Sequence, residues 1–251
     1  MSLISQAIGF INSGSERTQL VKKNALGSLF IKFFSIFIDF AKVPVLLTYL
    51  NPENYGIYLT ITSIVYWTHN FDFGLGTGLR YKLTKAVSLN EEQYGRQLVS
   101  TAYFSMSGIM ALLLVILIPV IALLDWNNIL NTHAFSNYDL AFCVFIVLVV
   151  FLTQFVLELI SIVLQSYQRA AISTLFKPLA NLITLGLIVF IRLFSSNSLL
   201  WASVAMTVPI VVVLLITNIC YFGGKYRNIA PSIKFFKKSC LKDIYSLGIK
   251  Y

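Results

Sequence analysis

Residues 138–165 read YDLAFCVFIVLVVFLTQFVLELISIVLQ, and this stretch decides the fold class. After Asp139, the only charged side chain in it is Glu158. A helix needs about 20 mostly apolar residues to cross roughly 30 Å of hydrocarbon, so this run predicts a transmembrane helix. Of the 251 residues, 57% are hydrophobic and 12% charged, which is about half the charged share of a soluble domain. The whole chain is therefore predicted to be a membrane protein.

Five further apolar blocks resemble this one, and turn-forming residues such as Asn51-Pro52 and Gly223-Gly224 separate them. The fold class predicted is an all-α membrane protein, built as a six-helix transmembrane bundle. Residues 1–23 are expected to form a cytoplasmic N-terminal segment and residues 223–251 a basic cytoplasmic tail. The six spans predicted within 24–222 are 24–50, 55–73, 98–124, 138–165, 174–194 and 199–222.

The basic residues are distributed very unevenly between the two sides of this predicted bundle. Sixteen of the 19 Lys and Arg residues lie on the side that also holds both chain ends. Because cytoplasmic loops carry the excess of Lys and Arg, both ends are predicted to be cytoplasmic. The same distribution accounts for the net charge of +9 without a nucleic-acid partner.

The first predicted span carries three charged residues, Lys32, Asp39 and Lys42. A charge at the bilayer centre costs roughly 2.5–3.5 kcal/mol on insertion scales, so such residues need a reason to be there. At 100° per residue the three fall on one face of the helix, together with Asn24 and Ser35. We expect this polar seam to face the interior of the bundle, with the three charges close enough to pair.

Other spans repeat the pattern of one polar face. Seams that face one another would line a wet, mildly cationic cavity, which favours a transport pathway. The alternative is that they hold helices together, with a Lys–Asp pair as a static bridge. The seam residues are Tyr55, Tyr58, Thr62, Tyr66 and His69 in the second span; Gln154, Glu158, Ser161, Gln165 and Gln168 in the fourth; Thr174, Lys177, Asn181 and Thr184 in the fifth; and Ser203, Thr207 and Asn218 in the sixth.

No pattern in the sequence indicates an enzyme, a metal site or a cofactor. The glycines of residues 74–78 lack the spacing of a nucleotide-binding loop and are interpreted as a turn that ends the second helix. The two histidines, His69 and His133, are predicted near opposite membrane faces, and the three cysteines are scattered. Asp39 and Glu158 could form an acid–base pair, but no nucleophile accompanies them.

Residues 72–84 read DFGLGTGLRYKLT, and residues 51–56 read NPENYG. Both stretches resemble bacterial polysaccharide (O-antigen) flippases of the Wzx type. These flippases belong to the multidrug/oligosaccharidyl-lipid/polysaccharide exporter (MOP) superfamily. The resemblance implies that the protein moves an undecaprenyl-diphosphate-linked oligosaccharide across the bacterial inner membrane, with this lipid-linked glycan and the bilayer as partners. A contact with the polysaccharide polymerase machinery is also expected.

The resemblance also implies roles for the polar residues. Lys32, Lys42 and Arg80 would contact the diphosphate, by point charge or by a bidentate fork. Asp39 and Glu158 would tune that charge or carry protons. The predicted substrate site consists of Lys32, Asp39, Lys42, Arg80, Tyr66, His69, Asp72, Glu158 and Asn181.

Members of that superfamily generally have two similar six-helix lobes, and the resemblance here covers the first. Residues 242–251 resemble the approach to a seventh helix, so the chain is expected to be a fragment of a longer protein. Two alternatives are a drug/cation antiporter of the same superfamily, which would favour an anionic cavity, and a non-transporting membrane assembly subunit. A membrane glycan polymerase would be expected to carry a large external loop with arginines.

Overall fold

The structure is a computed structural model that describes residues 16–66, 74–194 and 198–248. These residues are almost entirely helical, and no strand occurs among them. Two short 3-10 turns, Arg227–Ile229 and Ile233–Phe235, precede the last helix. The helices are α1 (Glu16–Tyr66), α2 (Leu75–Ser88), α3 (Glu92–Leu123), α4 (Trp126–Leu130), α5 (Asn137–Ser166), α6 (Ala170–Thr174), α7 (Phe176–Arg192), α8 (Leu199–Gly223) and α9 (Lys238–Gly248).

Helix α1 consists of two arms, 16–50 and 52–66, that meet at a sharp bend. Asn51 sits at the bend with φ 62° and ψ 165°, a conformation that few side chains adopt. Its side-chain oxygen accepts a hydrogen bond of 2.9 Å from the backbone N–H of Asn54. This bond caps the second arm, where Pro52 stands in the first turn. The bend therefore lies at the Asn51-Pro52 turn that the sequence indicates.

Within the described residues, four helical segments are long and apolar enough to cross a membrane: α3, α5, α8 and the combined stretch Ala170–Arg192. They correspond to the predicted spans 98–124, 138–165, 199–222 and 174–194. The fifth span begins earlier, at Ala170, and is interrupted at Leu175. Pro178 has no N–H to bond the carbonyl of Thr174, which explains the interruption. Helix α1 is not among the four, so the first two spans stay a prediction.

Large apolar side chains cover the outside of the bundle. Phe30, Phe33 and Phe37 on α1 are each about three-quarters exposed, whereas Leu98 and Leu164 are fully buried. So extensive an apolar exterior is disfavoured in water, but it suits hydrocarbon. The chain is an all-α membrane protein.

Residues 74–97, predicted as a connection, contain helix α2. Gly74 precedes it with φ 77°, so the glycine-rich stretch begins a helix. The end of the helix that was predicted to stop at this turn lies outside the described residues. Gly76 and Gly78 are buried within α2. A Cβ on Gly78 would overlap the backbone carbonyl of Ile244 in α9. The glycines thus permit close contact between two helices, a role that only the packing reveals.

Residues 224–248, which we call the strap, fold back along the bundle. The Ser100 hydroxyl accepts a 3.1 Å hydrogen bond from the N–H of Ser232, and the Thr101 hydroxyl accepts one of 3.1 Å from the N–H of Lys237. Ser100 and Thr101 are fully buried on α3. The segment predicted as a basic tail is therefore a packed part of the structure over its described length.

Candidate functional site

Four polar side chains from α1 and α7 form one bonded cluster, which we call the lysine cluster. The Lys42 ammonium lies 2.8 Å from one carboxylate oxygen of Asp39, and the Lys177 ammonium lies 3.6 Å from the other. Asn181 donates a 2.8 Å hydrogen bond to Asp39 and accepts one of 2.9 Å from Lys42. One carboxylate thus pairs with two ammonium groups, one from each helix. The Asn181 side chain of α7 adds two hydrogen bonds to the α1 residues Asp39 and Lys42.

Helical spacing on both partners explains this arrangement. Asp39 and Lys42 are three residues apart on α1, while Lys177 and Asn181 are four apart on α7, so each pair shares a face. Nearer the start of α1, the side chain of Asn24 donates a 2.6 Å bond to the carbonyl of Gln168, in the turn between α5 and α6. At 1.5 Å per residue, Asp39 lies about 22 Å along α1 from Asn24, close to the middle of the predicted span 24–50.

A cavity of about 230 Å3 opens beside the lysine cluster, between α5, α7 and α8. A second cavity of about 180 Å3 lies between α2, α3 and α5. Glu158 and Ser161 of α5 line both cavities. The second cavity is also lined by Gln165, whose side-chain oxygen accepts a 3.3 Å hydrogen bond from the Arg80 guanidinium. One polar face of α5 therefore runs from Arg80 to the lysine cluster.

The exposure of the charged groups indicates what this site can bind. The Lys42 side chain is 13% exposed and engaged with Asp39, whereas that of Lys177 is 72% exposed. An ammonium has three donors, so Lys177 retains donors that face the cavity. Two lysines against one carboxylate leave the cluster with an excess positive charge. The arrangement suits an anion with several oxygen acceptors.

The structure brings together most, but not all, of the predicted site residues that it describes. Asp39, Lys42 and Asn181 meet in the lysine cluster, Glu158 lines the cavity beside it, and Arg80 contacts the far end of the same α5 face. The pairing predicted for Lys32 is wrong: within the described residues it forms no ion pair, and its side chain is exposed. It lies about 10 Å along α1 from Asp39, too far for a direct bond.

Lys177 takes the place that had been assigned to Lys32. It belongs to the polar seam predicted on the fifth span, but nothing in that seam indicates its neighbour. Of the remaining predicted residues, Tyr66 ends the second arm of α1, and its side chain lies outside the description. His69 and Asp72 also lie outside the described residues.

Polar residues of α8 serve packing instead. The Tyr103 hydroxyl donates a 2.7 Å hydrogen bond to the Asn218 side chain, which in turn donates to the carbonyls of Leu157 and Leu214 at 3.0 and 2.8 Å. Asn218 is buried and ties α8 to α3 and α5. For this seam the alternative interpretation, polar residues that hold helices together, is the better one.

Comparison with known proteins places this site in a family context. No family model matches the sequence. Over 184 residues the chain is 28% identical to a Yersinia pseudotuberculosis protein named "Putative O-antigen export protein". The match covers 71% of this chain and 39% of that protein.

A solved structure of a multidrug resistance MATE family transporter of the MOP superfamily, in an outward-facing conformation, superposes with a TM-score of 0.63. The match covers 95% of this chain and 54% of that one, at 15% identity. The chain has the fold of a MOP-superfamily transporter. The resemblance to Wzx-type flippases seen in residues 72–84 is confirmed by these two likenesses taken together. The chain spans only part of either relative, well under two thirds.

Proposed function

We propose that this chain forms one lobe of a transporter that moves a lipid-linked oligosaccharide across a membrane. The observation that carries the proposal is the lysine cluster, which opens onto a cavity whose polar wall continues to Arg80. The similarity to an O-antigen export protein supports a glycan as cargo. A MATE-like fold supports transport by a conformational change of the bundle.

The proposed cargo is a lipid-linked diphosphate, and the site has groups suited to each part of it. Lys177 offers free ammonium donors to phosphate oxygens, and the Arg80 guanidinium offers a planar fork at the other end of the α5 face. Lys42 is held by Asp39 and adds positive charge. Glu158 lies between the two ends, where a carboxylate that gains and loses a proton would alter the attraction for the diphosphate. Lys32 is proposed as a further contact along α1.

The remaining features of the proposal come from the resemblance. Tyr66, His69 and Asp72 are proposed as further contacts of the cargo. The protein is proposed to reside in a bacterial inner membrane, and an association with the polysaccharide polymerase machinery stays a prediction.

The proposal is tested by surface glycan in a cell that lacks its own flippase, using the native reading frame that contains these residues. Lys177→Gln should reduce surface glycan about ten-fold or more at equal membrane abundance. A hydrogen bond to a charged group is worth about 1.5–3 kcal/mol, and it is lost in this variant. Lys177→Arg should retain much of the activity.

The matched control is Arg192→Gln, which removes one exposed cation at the end of the same helix α7. It should leave surface glycan unchanged. Normal glycan export by a well-expressed Lys177→Gln variant would refute the assignment of the lysine cluster to cargo binding.

A cation antiporter is the second candidate, because the solved relative is a multidrug resistance transporter. The two ammonium groups of the lysine cluster would repel a cationic drug, whereas Asp39 and the cavity-lining Glu158 would attract it. Efflux of a cationic dye, lost on Asp39→Asn while surface glycan is unaffected, would favour this candidate over the flippase.

The proposed orientation places the end of the bundle that holds Arg80 and the strap in the cytoplasm. It predicts that a cysteine at His133 reacts with an impermeant thiol reagent added to intact cells. A cysteine at Gln93 should react only after permeabilisation. Both side chains are exposed, and neither has the positive φ of Asn90 or Asn131, so the substitutions fit the backbone. Labelling in the opposite order would reverse the orientation.

A further inference from the structure

The inner side of the strap is bonded to helix α3. The guanidinium of Arg96 donates a 3.3 Å hydrogen bond to the carbonyl of Ala230 and lies 4.1 Å from the centre of the Phe235 ring. Farther along, Cys240 and Ile244 of α9 are buried. Burial raises the pKa of the Cys240 thiol, which keeps it neutral. The strap is thus anchored by its backbone, its aromatic ring and the buried face of α9.

The outer side of the strap is exposed and basic. Its basic side chains are all exposed, and within the described residues none of them forms an ion pair. On α9, Lys238 and Lys242 are four residues apart and so share one face, away from Cys240 and Ile244. Ile233, which directly precedes Lys234 in the sequence, is 72% exposed. The exposed basic residues are Lys225, Arg227, Lys234, Lys237, Lys238 and Lys242.

The strap has a packed backbone, exposed cations without ion pairs and an exposed apolar side chain, and this combination matches the chemistry of a membrane interface. Anionic headgroups attract basic segments next to a transmembrane helix, and an apolar residue can enter the acyl boundary between them. The strap directly follows α8, a helix able to span the membrane, so it lies within reach of headgroups. The sequence between α8 and α9 contains no acidic residue, and the one acidic residue of the strap, Asp243, is bonded to Tyr94 of α3.

We propose that the strap binds anionic phospholipid headgroups through Lys234, Lys237, Lys238 and Lys242, with Ile233 inserted beside them. The four lysines are not part of the proposed cargo site, which lies on α1, α2, α5 and α7. The lipid contact would fix the strap, and through Gly78 and Ile244 also α2, against one leaflet. The proposed partner is a lipid surface and not a soluble anion, because an exposed apolar residue, Ile233, lies next to this basic segment in the sequence.

The test uses the purified chain in neutral detergent, titrated with phosphatidylglycerol or phosphatidylcholine while thermal unfolding is followed by circular dichroism. Phosphatidylglycerol should raise the unfolding midpoint, and high salt should abolish the rise. Phosphatidylcholine and inorganic phosphate should have little effect. The variant Lys234→Gln, Lys237→Gln, Lys238→Gln, Lys242→Gln should lose most of the rise, since each neutralised lysine lowers the apparent lipid affinity about five-fold.

The charge-preserving control replaces the same four lysines by arginine and should keep the effect. All four side chains are exposed, so neither variant should disturb folding. The salt dependence of the unchanged protein tests the proposal without any variant. Equal stabilisation by both lipids, an equal effect of inorganic phosphate, or full retention of the rise in the glutamine variant would each overturn it. Surface glycan tests the cargo site separately, so the two proposals can fail independently.

Discussion

Replacing Asp39 by Asn is expected to lower the folded yield of the protein and to reduce its transport activity. The carboxylate neutralises Lys42 and Lys177 together, and Asn leaves two ammonium groups side by side without an anion. Removing one partner of a buried ion pair costs about 3–5 kcal/mol. Because Asp39 is 36% exposed, the cost here should lie at or below the lower end of that range. Membrane abundance and thermal stability in detergent measure it.

A second variant separates stability from function. Replacing Asp39 and Lys42 by Leu and Lys177 by Gln removes the carboxylate and both ammonium groups, so no uncompensated charge remains. Folded yield should recover, because an apolar replacement of an ion pair is often neutral or stabilising. Transport should stay low, because the positive charge proposed to meet the diphosphate is gone. Normal transport by this variant would show that the lysine cluster is only a structural bridge.

The matched control for the first helix is Lys32→Gln compared with Lys42→Gln. Both remove one ammonium from the same helix, but only Lys42 is bonded to Asp39 and Asn181. Lys42→Gln should reduce folded yield, whereas Lys32→Gln should not. Equal effects would mean that Lys32 reaches a partner that the helix geometry does not predict.

Replacing Gly78 by Ala is expected to detach α9 from α2. The added methyl group would overlap the carbonyl of Ile244, which belongs to backbone and cannot rotate away like a side chain. Overpacking of this kind costs about 1–3 kcal/mol. The strap should then become sensitive to limited proteolysis near Lys238 or Lys242, and the thermal midpoint should fall.

Gly108→Ala provides the control for this substitution. Gly108 also lies inside a helix, α3, but beyond the neighbouring backbone of that helix no atom lies within 4 Å of the position that its Cβ would occupy. The substitution should be neutral or stabilising by about 0.4–1 kcal/mol, because alanine loses less backbone entropy on folding. If Gly78→Ala and Gly108→Ala behave alike, the contact between α2 and α9 does not stabilise the protein.

Much of the fold follows from the sequence, because the signals involved are local. A stretch such as residues 138–165 can be recognised as a transmembrane helix without knowing what it packs against, because the thickness of the bilayer sets the length of a spanning helix. Helical periodicity likewise places Asp39 and Lys42 on one face. The bend at Asn51-Pro52 could also be predicted, because proline and asparagine act on the backbone next to them.

Only the tertiary structure shows which faces of the helices contact one another. Helical periodicity shows which residues share a face of one helix, but it does not show which helix packs against that face. The sequence therefore could not show whether Lys32 or Lys177 pairs with Asp39. The same limit hid the role of Gly78, whose missing side chain matters only where α9 crosses α2. It also hid the strap, because buried hydroxyls such as Ser100 and Thr101 acquire their partners from residues more than 130 positions away. Contacts between distant parts of the chain depend on the packing of all the helices at once, and no local stretch of sequence encodes them.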